Sequence, residues 1–150
     1  MRVLLQRVTS ASVEIDQTTV GRIGRGLLVF VGIEAVDTNE DIEWLCGKIS
    51  RMRIFEDGQG KMNRSVIDAG GSALVVSQFT LHATVKKGNR PSFLKAANPT
   101  ISEPMFRQFC EKLSESLGKK VEKGQFAADM KVALINDGPV TIWIDSKARE

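Results

Sequence analysis

A chain of 150 residues, 42% hydrophobic and 26% charged, has the size and composition of one globular unit with a real core, which excludes a wholly disordered chain. Its net charge of +3 is too mild to identify a nucleic-acid binder, although Lys86, Lys87 and Arg90 cluster in one stretch and Lys119, Lys120 and Lys123 in another. No apolar run approaches the ~18 residues that span a bilayer, and residues 1–7 are too polar for a signal peptide, so a cytoplasmic protein with no membrane partner is expected.

Residues 2–16 alternate well enough for one or two strands, and Gly21, Gly24 and Gly26 punctuate the next stretch. The continuous apolar run at 26–33 predicts a strand covered on both faces. Thr38 and Asp41 form a capping box ahead of Ile42, Leu45, Cys46 and Ile49, whose i, i+3, i+4, i+7 spacing predicts an amphipathic helix. Residues 52–55 read as a short strand ending at Glu56-Asp57-Gly58. Ala73-Leu74-Val75-Val76 reads as a buried strand that runs on into Ser77-Gln78-Phe79-Thr80-Leu81. Residues 84–100, with Gly88, Pro91 and Pro99, read as a long loop. A second helix is expected from near Ser102, with Pro104 in its first turn, a stripe of Phe106, Phe109, Cys110, Leu113 and Leu117, and Gly118 as its stop. Two last strands, about 131–136 and 140–145, flank Asp137-Gly138-Pro139, which most simply forms a hairpin turn. Many strands with two well-separated helices give an α+β fold, mainly antiparallel, in a single domain spanning 1–150.

Elimination narrows the chemistry. The one histidine is His82, so any Ser-His-Asp or Cys-His arrangement must use it, and after an apolar strand it reads first as structural. No Cys-x-x-Cys, His-x-x-x-His or dense carboxylate motif occurs, so neither a metal nor another cofactor is expected. Cys46 and Cys110 fall at apolar helical positions and read as buried free thiols. Gly21-x-x-Gly24-x-Gly26 lacks the spacing of a phosphate loop and reads as a turn. Two features stand out. Ser77-Gln78-Phe79-Thr80 places polar groups at the end of an apolar strand, where ligands meet loops; in a strand, Gln78 and Thr80 would share one face. The plain alternative is a solvated strand exit. Arg7 shares a strand face with Val3 and Leu5, and a buried guanidinium needs partners for its five donors, unless it lies beyond the edge of the core.

Taken together, these segments resemble the D-aminoacyl-tRNA deacylase (D-tyrosyl-tRNA deacylase) family over essentially the whole chain. The resemblance is carried by Met1-Arg2-Val3-Leu4-Leu5-Gln6-Arg7-Val8, by Ser77-Gln78-Phe79-Thr80-Leu81, by Lys87-Gly88-Asn89-Arg90-Pro91-Ser92-Phe93 and by Asn136-Asp137-Gly138-Pro139-Val140-Thr141. Either active-site motif alone is weak; both, in this order with this N-terminus, are specific. His82 stands where an aromatic residue such as tyrosine is more usual, a departure expected to tune the rim of the site.

The resemblance implies a barrel-like sheet core with two main helices and a two-fold homodimer with its site at the subunit interface. It implies hydrolysis of the ester bond of D-aminoacyl-tRNA, and of glycyl-tRNA, with the 3′-terminal adenosine and its D-amino acid as the bound partner. Ser77, Gln78, Phe79 and Thr80 are the implied catalytic segment, with the backbone N–H groups of Phe79 and Thr80 stabilising the oxyanion and Gln78 orienting the substrate. Thr80 as a nucleophile lacks a base to activate it, and a ribose hydroxyl could assist instead. Asn136, Gly138, Pro139, Val140 and Thr141 are the implied substrate-binding segment. Its Gly-Pro bond is cis and enters the partner's pocket, so that backbone excludes an L side chain. Arg7 would hold that loop through its carbonyls, and Lys86, Lys87 and Arg90 would contact tRNA. A paralogous deacylase for achiral or L residues is the near alternative, disfavoured by Phe79 and Val140. A non-catalytic module of the same fold that binds tRNA or single-stranded nucleic acid is the distant one.

Overall fold

β1, Arg2–Ile15, is the spine of the fold in a computed structural model that describes residues 1–150. On one side its first half pairs antiparallel with β3, Gly26–Gly32, and its second half with β2, Thr18–Ile23. On the other side it pairs antiparallel with β8, Lys131–Asp145, along nearly its whole length. β3 continues the sheet in parallel to β6, Ser72–Ser77, and β6 in parallel to β7, Glu122–Lys123. The sheet is therefore mixed, with antiparallel pairing around β1 and a parallel flank.

The sheet separates two cores, and strand periodicity explains how. In β3, Leu27, Val29 and Val31 point to one core and Leu28 to the other; in β6, Ala73 and Val75 oppose Leu74 and Val76 in the same way. This is why both strands read as unbroken apolar runs. The larger core lies under α1, Asn39–Arg51, and α2, Pro99–Leu117. The smaller fills the inside of the curled sheet, with Val8, Ala11 and Val13 from β1. The curl brings β2 back toward β7, so that a Cβ on Gly21 would stand 3.1 Å from the Lys123 carbonyl oxygen. The result is a nearly closed, barrel-like sheet with two helices on one face. At Gly26 a Cβ would fall 1.9 Å from the Ser72 carbonyl oxygen, so β3 and β6 can start side by side only with glycine there.

α1 follows the sequence closely. Its capping box joins Thr38 and Asp41, and Ile42, Leu45, Cys46 and Ile49 are buried. Burying each such aliphatic side chain contributes about 1.5–3 kcal/mol relative to exposure. Cys46 and Cys110 are free and buried.

Four expectations are corrected. α2 begins a turn earlier than Ser102, at Pro99, because Asn98 caps it by accepting from the Ile101 N–H (3.3 Å) and Pro99 occupies the first turn; Pro104 is then inside the helix. The short strand near 52–55 is instead β4, Phe55–Glu56, which forms a small hairpin with β5, Met62–Arg64. The strand through Ser77 stops there, and Phe79–His82 is a 3-10 turn. Asp137-Gly138-Pro139 makes no hairpin: both flanking segments run antiparallel to β1 in one strand, so the chain never reverses. No helix is long and apolar enough to cross a membrane.

Candidate functional site

The first motif sits where β6 ends. Ser77 is the last β6 residue paired with β3, opposite Val31, and the Gln78 N–H donates to the Val31 carbonyl at 2.8 Å. Gln78 then leaves the strand conformation, with φ −142° and ψ 83°, and the chain turns. Its side-chain amide donates to the Thr80 hydroxyl, so the two polar residues meet through the turn and not through a shared strand face. The Leu81 N–H is taken by the Gln78 carbonyl. Phe79 and Thr80 therefore stand at the open start of the 3-10 turn, where backbone N–H groups have no partner within it. The half-exposed Phe79 ring meets Phe93 edge-to-face, centroids 5.2 Å apart.

These residues open onto a cleft of about 610 Å³, of the size and mainly apolar character of a small-molecule site. Val31, Ile33 and Val76 from the strand ends line it together with Phe93 and Ala97 and with a stretch that includes Phe126 and Met130. Ser77 and Gln78 are its polar groups nearest the turn. The wall between Phe126 and Met130 was not singled out by sequence, since nothing local ties it to residues some fifty positions earlier. Ala127 there has φ +61°, a conformation that alanine adopts at a cost, and such positions gather at functional sites.

Candidate bases and nucleophiles are scarce. Asp129, the one carboxylate lining the cleft, is held by Lys131 at 3.0 Å. Burial pushes both cysteine thiols up to about 12, so neither offers a thiolate. No group of three or more His, Cys, Asp or Glu side chains is placed to hold a metal ion. His82 is not at the rim: it is fully buried, with Nδ1 3.0 Å from Glu34 Oε1 but not aligned as a hydrogen bond. The 3-10 turn carries it inward, whereas a strand would have carried it past the core.

The second motif is a bulge. Between the pairs Gln6–Thr141 and Val8–Asn136, β1 advances two residues while β8 advances five, so Asp137, Gly138 and Pro139 loop out of a strand that continues beyond them. The Gly138-Pro139 bond is cis. Asn136 staples the neck of the loop, its amide donating to the carbonyls of Arg7 (2.9 Å) and Val140 (3.0 Å). Arg7 is 3% exposed. Its Nε donates to the Asp137 carbonyl at 3.1 Å and pairs with Asp137 Oδ2 at 3.2 Å, and its Nη1 donates to the Ile54 carbonyl at 2.6 Å. The arginine thus ties the loop to the chain entering β4. Thr141 accepts from the Gln6 amide at 3.2 Å, and Val140 packs on the larger core.

Within one chain the two motifs do not come together, since neither Gly138 nor Pro139 lines the cleft beside Phe79. Lys86, Lys87 and Arg90 are exposed on the loop that leads to Phe93.

A sequence profile described as D-Tyr-tRNA(Tyr) deacylase matches residues 4–145. The D-aminoacyl-tRNA deacylase of Parabacteroides distasonis is 61% identical over 150 residues, the whole of both chains. A solved structure described as c-Myc DNA Unwinding Element Binding Protein superposes with a TM-score of 0.93 at 41% identity, covering 99% of this chain and 100% of its own. A second, described as a probable eukaryotic D-amino acid tRNA deacylase, superposes with a TM-score of 0.83 at 19% identity, covering 95% of this chain and 97% of its own, and so shares the fold.

Proposed function

This chain belongs to the D-Tyr-tRNA(Tyr) deacylase family and is an ester hydrolase acting on D-aminoacyl-tRNA; we propose that it frees the D-amino acid and the tRNA in the cytoplasm, as a homodimer whose loops exclude L substrates. The 3′-terminal adenosine and its amino acid occupy the cleft of one subunit, with the scissile carbonyl against the Phe79 and Thr80 N–H groups. Gln78 orients the substrate. The ester is already activated, so stabilising the oxyanion and placing a water or the neighbouring ribose hydroxyl is enough. Thr80 has a Gln78 amide donor beside its hydroxyl and no base, which argues against it as the nucleophile.

Gly138 and Pro139 of the partner subunit complete the pocket. Their backbone, pressed against the substrate's α-carbon, leaves room for hydrogen or a D side chain and none for an L side chain. Glycyl-tRNA is admitted on the same ground. What supports the partner's involvement is that a chain's own Gly138-Pro139 loop bulges from the strand and does not line its own cleft. β8 pairs with β1 alone and exposes Ile135 and Trp143, which offers the second copy a sheet edge and an apolar face. Lys86, Lys87 and Arg90 add phosphate contacts.

The observation that carries this reading is the pair of N–H groups at the start of the 3-10 turn, beside a cleft that lacks an unpaired general base. Incubation with D-tyrosyl-tRNA and L-tyrosyl-tRNA, following tyrosine release, tests it. Release from the D ester alone is expected. The neighbour named for binding a DNA unwinding element gives the second reading its ground, a nucleic-acid-binding module without catalysis. Binding of tRNA with both esters left intact would favour that module.

A further inference from the structure

A second, shallower cavity of about 420 Å³ lies beside the cleft, and Phe126 belongs to both. Its walls carry Arg107 from α2 and Lys120 and Lys123 around β7. Lys120 and Lys123 are exposed and have no carboxylate within ion-pair distance, whereas Arg107 is engaged by Glu103. Lys119, their neighbour in sequence, is turned elsewhere: its ammonium donates to the Gly71 carbonyl and the Ser72 hydroxyl, both at 3.3 Å. The fold thus splits one lysine cluster into an engaged member and two free cations on a groove that joins the cleft.

Resting on the deacylase reading, we propose that this groove binds the sugar-phosphate backbone of the tRNA's single-stranded 3′ end, just upstream of the terminal adenosine. A strand whose last nucleotide fills the cleft continues beyond its lining; Lys86, Lys87 and Arg90 stand toward Phe93, whereas Phe126 is shared with a groove that itself carries two ammonium groups suited to consecutive phosphates. Glu103 and Glu122 also line the groove and oppose a longer anionic track, which limits the contact to one or two phosphates. The groove is a docking surface and takes no part in the chemistry.

The test compares binding of uncharged tRNA over a salt series with turnover of two D-tyrosyl esters, one on tRNA and one on adenosine alone. For Lys120→Ala/Lys123→Ala, tRNA binding weakens about tenfold and the log–log salt slope falls by roughly 1.4, two contacts at about 0.7 each. kcat/KM on D-tyrosyl-tRNA falls about tenfold relative to kcat/KM on the adenosine ester. Lys120→Arg/Lys123→Arg restores the slope, and Lys119→Ala leaves it unchanged. An unaltered slope in the folded double variant overturns the proposal. So does an equal loss on both esters, or a Lys119→Ala effect as large as that of the pair. If the deacylase reading fails instead, the unmodified protein cleaves neither ester, while the slope on uncharged tRNA still reports on the groove.

Discussion

At position 138 a Cβ would stand 2.8 Å from Val140 Cγ2 and 2.9 Å from Arg7 Nη2, on a backbone with φ +128° that L residues rarely adopt. Gly138→Ala must therefore displace Arg7, Val140 or the loop itself. A misplacement near 1 Å in a reacting geometry costs on the order of 10² in rate, so release of D-tyrosine from D-tyrosyl-tRNA is expected to fall by about that factor. A near-normal rate would take position 138 out of the site. Thr80 behaves differently, because its proposed contribution is a backbone N–H that alanine keeps. Thr80→Ala loses the contact with the Gln78 amide, and its single-turnover rate is expected to fall less than about tenfold. Removing an oxyanion donor outright costs about 10²–10³; a loss of that size, with folding and tRNA binding intact, would make the hydroxyl a participant.

At the scale of elements, the start of α1 is also a docking point for the C-terminal segment. Asp41 accepts from the Thr38 N–H (2.8 Å), the Ser146 hydroxyl (2.6 Å) and the Lys147 ammonium (2.7 Å). Burial alone would raise its pKa, but the hydrogen bonds from Lys147, Ser146 and Thr38 outweigh it and hold the carboxyl well below its ordinary 3.8. With the folded pKa below the unfolded one, the stabilisation is complete above about pH 3.8 and is lost as pH falls toward the folded value. Asp41→Asn is expected to destabilise the protein by about 2 kcal/mol at pH 7, through a weakened cap and unmet donors. In urea unfolding the gap from the unmodified protein should narrow on acidification below pH 3.8. A gap that is the same at pH 7 and pH 2.5 would show that the charge of Asp41 is not what matters.

For the whole molecule, the proposed site is complete only when a second chain supplies its Gly138-Pro139 loop. Sedimentation equilibrium is expected to give one species at twice the chain mass, with activity falling on dilution in step with dissociation. A stable monomer that cleaves D-tyrosyl-tRNA at full rate would remove the intersubunit pocket. The half-exposed Trp143 on β8, with Arg2 5.5 Å above its ring, is placed to register burial of that face by a change in fluorescence.

Local pattern was enough wherever a residue's role depends on its near neighbours. The capping box and apolar stripe of α1, the two-sided burial of β3, the buried strand β6 and the buried cysteines were all legible, because periodicity and caps are properties of consecutive residues. The unusual arginine on the β1 face was visible too, since a guanidinium among aliphatics requires partners. Its partners were not. Asp137 and Ile54 reach Arg7 only because β8 lies along one edge of β1 and the chain entering β4 comes within hydrogen-bond distance of its side chain. In the same way, Asp137-Gly138-Pro139 has the composition of a turn, and only pairing of both flanks with the one strand β1 turned it into a bulge. Burial of His82 depended on a 3-10 turn that begins where the β3 partner of β6 runs out. The wall from Phe126 to Met130 met Ser77 and Phe79 through sheet closure. These are contacts between residues far apart in sequence, set by pairing register and curvature, and no short window of residues contains them.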